Sequence, residues 1–360
     1  MRVGVDGRSL VGGGGRGVAH YTAALLGALA SAHPEDEWRV LLPRGPVGPL
    51  PEGLTVVRSR WPGRALFGGA AAVGRPRLDE LLGGGLDVVW APAPAPLALS
   101  KGVPLVLTVH DRSWEQRPED FTAYERAWHR LARPRRLARR ASGVVCPTRA
   151  GRDDLIASWD LAPERVHAVP SAAAVRSTQA AAPPDAPPYV LFVGALEPRK
   201  APDVLVAAHA LARARGLAAE LWIAGEGRLG PALAGPGVRR LGHVGDDRLA
   251  GLYRGALALV LASHLEGFGL PPVEALAAGT PVIAGDLPVL REVLSDDGAL
   301  FVAPGDAAAL AAALERVERE PALRDALVAA GRRAVRGLSW EASAHGTRSV
   351  LEAAAAERRR

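Results

Sequence analysis

The sequence predicts an α/β protein made of two parallel-sheet halves, and three observations carry that prediction. Apolar runs of strand length alternate with helix-length runs, the pattern of parallel sheets covered on both faces. The alternation stops in SAAAVRSTQAAAPPDAPP, residues 171–188, and restarts after it. At 360 residues the chain is also too long for one ordinary domain. It suits two of roughly 150–180 residues, each with its own core.

The elements follow in order. In the first half the strands are expected at 2–6, 38–42, 54–58, 87–90, 104–109, 143–146 and 166–169, with helices at 18–32, 121–141 and 149–158. The Ala- and Pro-rich stretch 171–188 lacks periodicity and reads as a linker. In the second half strands at 189–193, 219–224, 238–241, 256–261, 281–284 and 299–301 alternate with helices near 201–215, 246–255, 271–278 and 287–293. A helical tail fills 306–356. The expected domains are 1–170 and 189–338, both Rossmann-like and facing a central cleft at the carboxyl ends of their strands, where ligands of such sheets bind.

Composition narrows the classes. Hydrophobic residues make up 48% and charged residues 23%, which describes a globular chain with a sizeable core. The single cysteine, Cys146, permits no internal disulfide and favours a reducing compartment. The opening MRVGVDGRSL alternates like a strand and shows no secretory signal. No apolar run approaches the roughly 18–20 residues of a spanning helix. A cytoplasmic protein is expected.

The net charge of +6 is unevenly placed, with an excess of seven positive charges in residues 1–180 and a deficit of one in the remainder. Its densest part is RAWHRLARPRRLARR, 126–140, which could rest on anionic headgroups at the inner face of a membrane or be a solvated arginine face. No recognition module or aromatic platform accompanies it, so nucleic acid is not expected as a partner.

The most informative segment is HLEGFGLPPVEALAAGTPVIAGD, framed by Glu266 and Glu274. Strand-like residues lead into a glycine loop, and Pro271 and Pro272 open a helix carrying Glu274 in its first turn. The backbone N–H groups of Gly267, Phe268, Gly269 and Leu270 and the helix dipole favour an anion there. The two carboxylates can accept hydrogen bonds from hydroxyls beside it. The combination reads as a nucleotide-sugar site.

On the same half, VGALEPRK places Arg199 and Lys200 where a strand gives way to a helix. Lys101 and Lys200 are the only lysines in the chain, so a lysine kept at such a junction is notable. A guanidinium fork beside a compact ammonium suits a diphosphate; alone, the two would read as a surface pair. In the first half, Gly12, Gly14 and Gly17 match G-x-G-x-x-G, but they follow the strand by several residues and no acidic residue ends the next strand. A glycine loop able to close over a phosphate or acceptor is the better account, with a plain exposed loop as the bland one. His110, at the end of PLVLTVHD, could bond a sugar hydroxyl or simply its local backbone. The acidic doublets lack D-x-D spacing, and the histidines form no metal-ligand spacing with Cys146. Neither a nucleophile elbow nor a Walker A motif occurs.

LFVGALEPRK followed by the Glu266–Glu274 segment resembles the donor-binding half of the family 4 (group 1) retaining glycosyltransferases, which have the GT-B fold. TVHD near 110, PTRAGRDDLI near 150 and SWE near 340 extend the likeness over almost the whole chain. The resemblance implies that Glu274 binds the donor ribose, Glu266 the donor sugar, and Arg199 and Lys200 the diphosphate. It places His110 near the sugar and acceptor, and the loop around Gly14 and Gly15 over the donor phosphates. It implies a final helix, within 339–360, that crosses back to the first domain. Ser171–Ala172 stands where the family carries Asn–Gly, so that loop contact differs here.

The implied activity is metal-independent transfer of a hexose, in polysaccharide biosynthesis, to a glycan or lipid-linked acceptor. No cofactor is implied beyond a nucleotide-sugar co-substrate, GDP-mannose as first choice because LEPRK is common in mannosyl and rhamnosyl transfer. Two alternatives stand beside it: a nucleotide-sugar epimerase of the same fold, and a non-catalytic basic protein binding membrane or nucleic acid through 126–140.

Overall fold

The structure, a computed structural model, describes residues 1–12, 17–172, 181–183 and 186–358. It forms two compact units, Met1–Ser171 with Ser339–Arg360, and Ala172–Leu338. Of the stretch 171–188 expected as a linker, 173–180 and 184–185 lie outside the described residues.

The first unit is built on strands β1 (Arg2–Asp6), β2 (Glu37–Arg44), β3 (Leu54–Pro62), β4 (Val88–Ala91), β5 (Leu105–Thr108), β6 (Gly143–Cys146) and β7 (Val166–Ala168). They pair in parallel in the order β3-β2-β1-β4-β5-β6-β7. Continuous apolar runs bury the inner strands β1, β4, β5 and β6 on both faces, whereas the edge strand β3 is largely exposed. Alternate residues feed two cores: Val88 and Trp90 pack with helices Gly17–Ala32 and Trp340–Glu357, whereas Val89 and Ala91 pack with Leu66, Phe67, Leu137 and Trp159.

The second unit repeats the plan with β8 (Tyr189–Val193), β9 (Glu220–Ala224), β10 (Val238–Gly242), β11 (Ala258–Leu261), β12 (Val282–Gly285) and β13 (Leu300–Val302). The order is β10-β9-β8-β11-β12-β13, again parallel. Tyr189 and Leu191 face one core and Val190 and Phe192 the other.

Expectation and structure differ where proline or a glycine-rich run intervenes. The expected helix 121–141 is two helices, Ala123–Ala132 and Pro134–Arg140. A residue before proline is disfavoured in the helical region, and Arg133 turns left-handed there, with φ 47°. The basic segment 126–140 is therefore not one continuous helix. The tail likewise divides into Ala307–Arg319, Pro321–Val335 and Trp340–Glu357, the first break falling before Pro321. Helix Gly63–Val73 has no counterpart in the sequence expectation, because its three glycines, poor helix formers, punctuate an otherwise helix-favouring run.

Asp36 ties the last helix to the entry of β2. Its carboxylate, almost fully buried, accepts from Arg348 Nε at 2.9 Å and from the chain-terminal ammonium. Burial pushes this carboxyl up, but the hydrogen bonds from the ammonium and Arg348 outweigh it and hold it below the usual range. A carboxyl lowered in the folded state contributes stability above its ordinary pKa of about 3.9 and loses it as pH falls through the folded value. Arg348→Ala, which leaves Asp36 buried without that partner, is expected to cost about 1–3 kcal/mol. Urea melts at pH 7 should show the loss, and the gap from wild type should close as pH approaches 3.

Candidate functional site

In the second unit the strand order reverses between β8 and β11, so the loops leaving their carboxyl ends diverge and open a crevice. The loop after β8 runs through Gly194 and Leu196 into a 3-10 turn, Pro198–Lys200. Ala201 then adopts φ 48°, and Pro202 starts the next helix. Two glycines after β9 back this loop. A Cβ at Gly225 would lie 1.9 Å from Gly194 O, and one at Gly227 would lie 2.6 Å from Leu196 O. Leu196 N donates to Glu226 O at 3.0 Å, and Arg228 Nε donates to Glu197 Oε2 at 2.6 Å.

The loop after β11 lies against it, His264 N donating to Arg199 O at 2.9 Å. Lys200 Nζ contacts Glu266 Oε1, which also accepts from Ser263 Oγ at 2.6 Å. The Arg199 guanidinium makes no hydrogen bond or ion pair with another described residue. Phe268 turns its side chain into the core, so only its backbone can serve a ligand. Gly269, at φ 93°, caps the following helix, and a Cβ there would meet Leu290 Cδ2 at 2.7 Å. Among the described residues the N–H groups of Gly267, Phe268, Gly269 and Leu270 donate to no carbonyl or side chain.

The helix is Leu270–Ala278, so Glu274 sits one residue beyond its first turn rather than within it. The left-handed Gly269 starts the helix one residue ahead of Pro271. Glu274 is 6% exposed and its Oε2 accepts from Tyr253 OH at 2.9 Å.

In the first unit the reversal falls between β1 and β4. Arg8 reaches across it, donating to Ala93 O at 2.8 Å and pairing with Asp6 at 3.2 Å. Burial pushes the Asp6 carboxyl up despite Arg8. His110 follows β5; its Nε2 lies 3.0 Å from Pro92 O, which makes that nitrogen the donor, and Tyr21 meets the ring edge-on at 4.6 Å. Burial pushes the imidazole pKa down, against the opposing pull of Asp111 and Pro92 O. Gly14 and Gly15 lie outside the described residues, while Gly12 N donates to Pro46 O at 2.9 Å.

A family model described as glycosyl transferases group 1 matches residues 176–334, and one described as Glycosyltransferase Family 4 matches residues 15–173. The chain belongs to this glycosyltransferase family. Similar relatives include the MMP alpha-(1->4)-mannosyltransferase of Mycolicibacterium hassiacum, 30% identical over 71% of this chain and 66% of that one. The D-inositol 3-phosphate glycosyltransferase of Salinispora arenicola is 32% identical over 71% of this chain and 64% of that one. The chain thus spans slightly under two thirds of both relatives. Sucrose-phosphate synthase from Thermosynechococcus elongatus superposes with a TM-score of 0.71 over 98% of each chain at 19% identity, a likeness of fold.

In this member of the family the second unit brings Arg199, Lys200, Glu266 and the Gly267–Leu270 backbone to one switch point, with Glu274 on the helix that leaves it. His110 belongs to the other unit. Sequence reasoning missed Ser263, Tyr253 and the Gly225–Glu226–Gly227 brace. The glycine spacing in IAGEG at a strand end was a readable signal for the brace; nothing local marked the other two. A histidine whose pKa burial depresses favours the neutral ring, so its contribution to stability is present above the ordinary value of about 6.5 and declines as pH falls below it. The His110 ring resonances should titrate below 6.5 in an NMR pH series; a midpoint above 7 would contradict the burial described.

Proposed function

We propose that this chain is a retaining glycosyltransferase that moves a hexose from a nucleoside-diphosphate sugar to a hydroxyl of a glycan or lipid-linked acceptor. One observation carries the reading: amides and a guanidinium with no partner among the described residues meet an ammonium at a switch point beside two buried carboxylates. The amides and cations suit a diphosphate, and the carboxylates suit sugar hydroxyls. As the bond from the sugar's anomeric carbon to the phosphate oxygen breaks, charge grows on the departing diphosphate. Arg199, Lys200 and the amides of Gly267, Phe268, Gly269 and Leu270 stabilise it without requiring a metal or cofactor.

The acceptor oxygen attacks the same face, and its proton passes to the departing phosphate oxygen, which retains the anomeric configuration. Glu266 orients the hexose, Glu274 holds the ribose, and His110 contacts the sugar. A mannosyltransferase among the relatives supports mannose, and GDP-mannose is the donor to test first. Glu274→Ala and Lys200→Ala should each lower transfer at least about a hundredfold, with circular dichroism unchanged. Activity within a few fold of wild type in either variant counts against this reading. A thermal-shift panel of GDP-, UDP- and dTDP-sugars should give stabilisation by one base class.

The acceptor side includes contact with an anionic membrane through 126–140. Four arginines there donate to backbone carbonyls of their own unit: Arg126, Arg135, Arg139 and Arg140. The contact therefore falls to Arg130, Arg133 and Arg136 beside the exposed Tyr124 and Leu131. None of the described helices is long and apolar enough to cross a membrane. Co-sedimentation with phosphatidylglycerol vesicles, weakened by Arg130→Glu with Arg136→Glu and absent with phosphatidylcholine, is the expected result. Equal binding by the charge-reversed variant removes this contact from the proposal.

A further inference from the structure

We propose that Tyr253 is a positioning residue for the donor ribose, acting through Glu274, and that its phenol sets how sharply the site selects ribonucleotides over deoxyribonucleotides. The inference rests on the reading of Glu274 as the ribose-binding carboxylate. Tyr253 lies at 0% exposure near the end of helix Asp246–Gly255, and its hydroxyl donates to Glu274 Oε2 at 2.9 Å. Its own position is fixed from the other side. Thr280 Oγ1 donates to Tyr253 O, and Thr280 N donates to Ala275 O at 2.8 Å on the Glu274 helix. The Tyr253 backbone is therefore tied to the start of the strand that follows the Glu274 helix, and its buried ring is held beside that helix.

A glutamate side chain has three soft torsions, and ordering it at the moment of binding weakens affinity. A buried donor on Oε2 orders the carboxylate beforehand and fixes its plane. The same bond offsets the cost of keeping a carboxylate 6% exposed. A site built to accept from a hydroxyl rejects an analogue lacking that hydroxyl, and the rejection is sharp only if the acceptor is held in place. Tyr253 itself need not touch the ligand.

The test is Tyr253→Phe, which removes one oxygen and keeps the ring, with GDP, UDP and their 2′-deoxy forms as probes in equilibrium binding. Wild type should prefer the ribonucleotide of its own base by roughly tenfold or more. The variant should bind that ribonucleotide about tenfold more weakly, bind the deoxy form nearly unchanged, and so lose most of the preference. In transfer assays the donor KM should rise with kcat nearly constant. The same substitution in a Glu274→Gln background should change the preference no further, as expected if the two residues act as one unit. A Tyr253→Phe protein that melts earlier yet keeps both affinities and their ratio makes the tyrosine merely structural and overturns the inference. Wild type binding neither these four nucleotides nor dTDP sinks the nucleotide-sugar reading itself, and a wild type that binds dTDP alone overturns only the inference about Tyr253.

Discussion

Four consecutive backbone N–H groups with no acceptor among the described residues govern the second unit. A buried amide left without a partner costs about 1–3 kcal/mol, so a loop does not tolerate four of them unless water or a ligand faces them. Here the local sequence enforces the arrangement. Pro271 and Pro272 supply no donors of their own but commit the chain to helix. Gly269 makes the left-handed turn that no side chain could share with Leu290. The remaining amides are left where the β8 and β11 loops part.

The side chains around them balance in charge: Arg199 and Lys200 against Glu266 and Glu274. Selectivity at this site therefore comes from placement rather than from net charge. Lys200 Nζ and Ser263 Oγ both bond Oε1 of Glu266, while Tyr253 bonds Oε2 of Glu274, so each carboxylate is anchored from within the unit. An ammonium has three donors, so Lys200 can hold Glu266 and still meet a phosphate oxygen. At about 4 Å such a pair is worth between about 1 kcal/mol in water and about 4 kcal/mol near a protein surface, enough to keep a long side chain in place before any ligand arrives. Arg199 has no such tether among the described residues and is the cation left to turn toward an incoming anion.

Much of this was legible in the sequence because it is written in local terms. The inner strands of both sheets coincide with apolar runs, whereas the edge strands β3 and β10 carry arginines, and Glu266, Arg199 and Lys200 stand at strand ends, where a parallel sheet concentrates its chemistry. What the sequence concealed depends on tertiary proximity. Tyr253 reads as an ordinary core aromatic of an amphipathic helix, and only the packing of that helix against Leu270–Ala278 brings its hydroxyl to Glu274. Ser263 resembles any small loop residue. The break at Arg133 was readable from Pro134 and was overridden by the helical periodicity on either side. The Gly63–Val73 helix forms despite three glycines because its alanines favour helix and Leu66 and Phe67 fill a core.

Both units share the same strand order about their reversal points, so topology alone does not decide which of them receives the nucleotide. The contents of the two crevices do. Between β1 and β4 the Arg8 side chain spans the gap, bonded to Ala93 O and paired with Asp6, and Gly12 already donates its N–H to Pro46 O. That crevice is filled from within by an internal ion pair, and an incoming phosphate would have to compete with Asp6 for the guanidinium. Between β8 and β11 the corresponding space is bordered by amides and a guanidinium with no acceptor among the described residues. The formal glycine fingerprint lies in the first unit, and the donors without a described partner lie in the second. A motif names a backbone shape, and whether that shape binds an anion depends on which donors the fold has left unsatisfied.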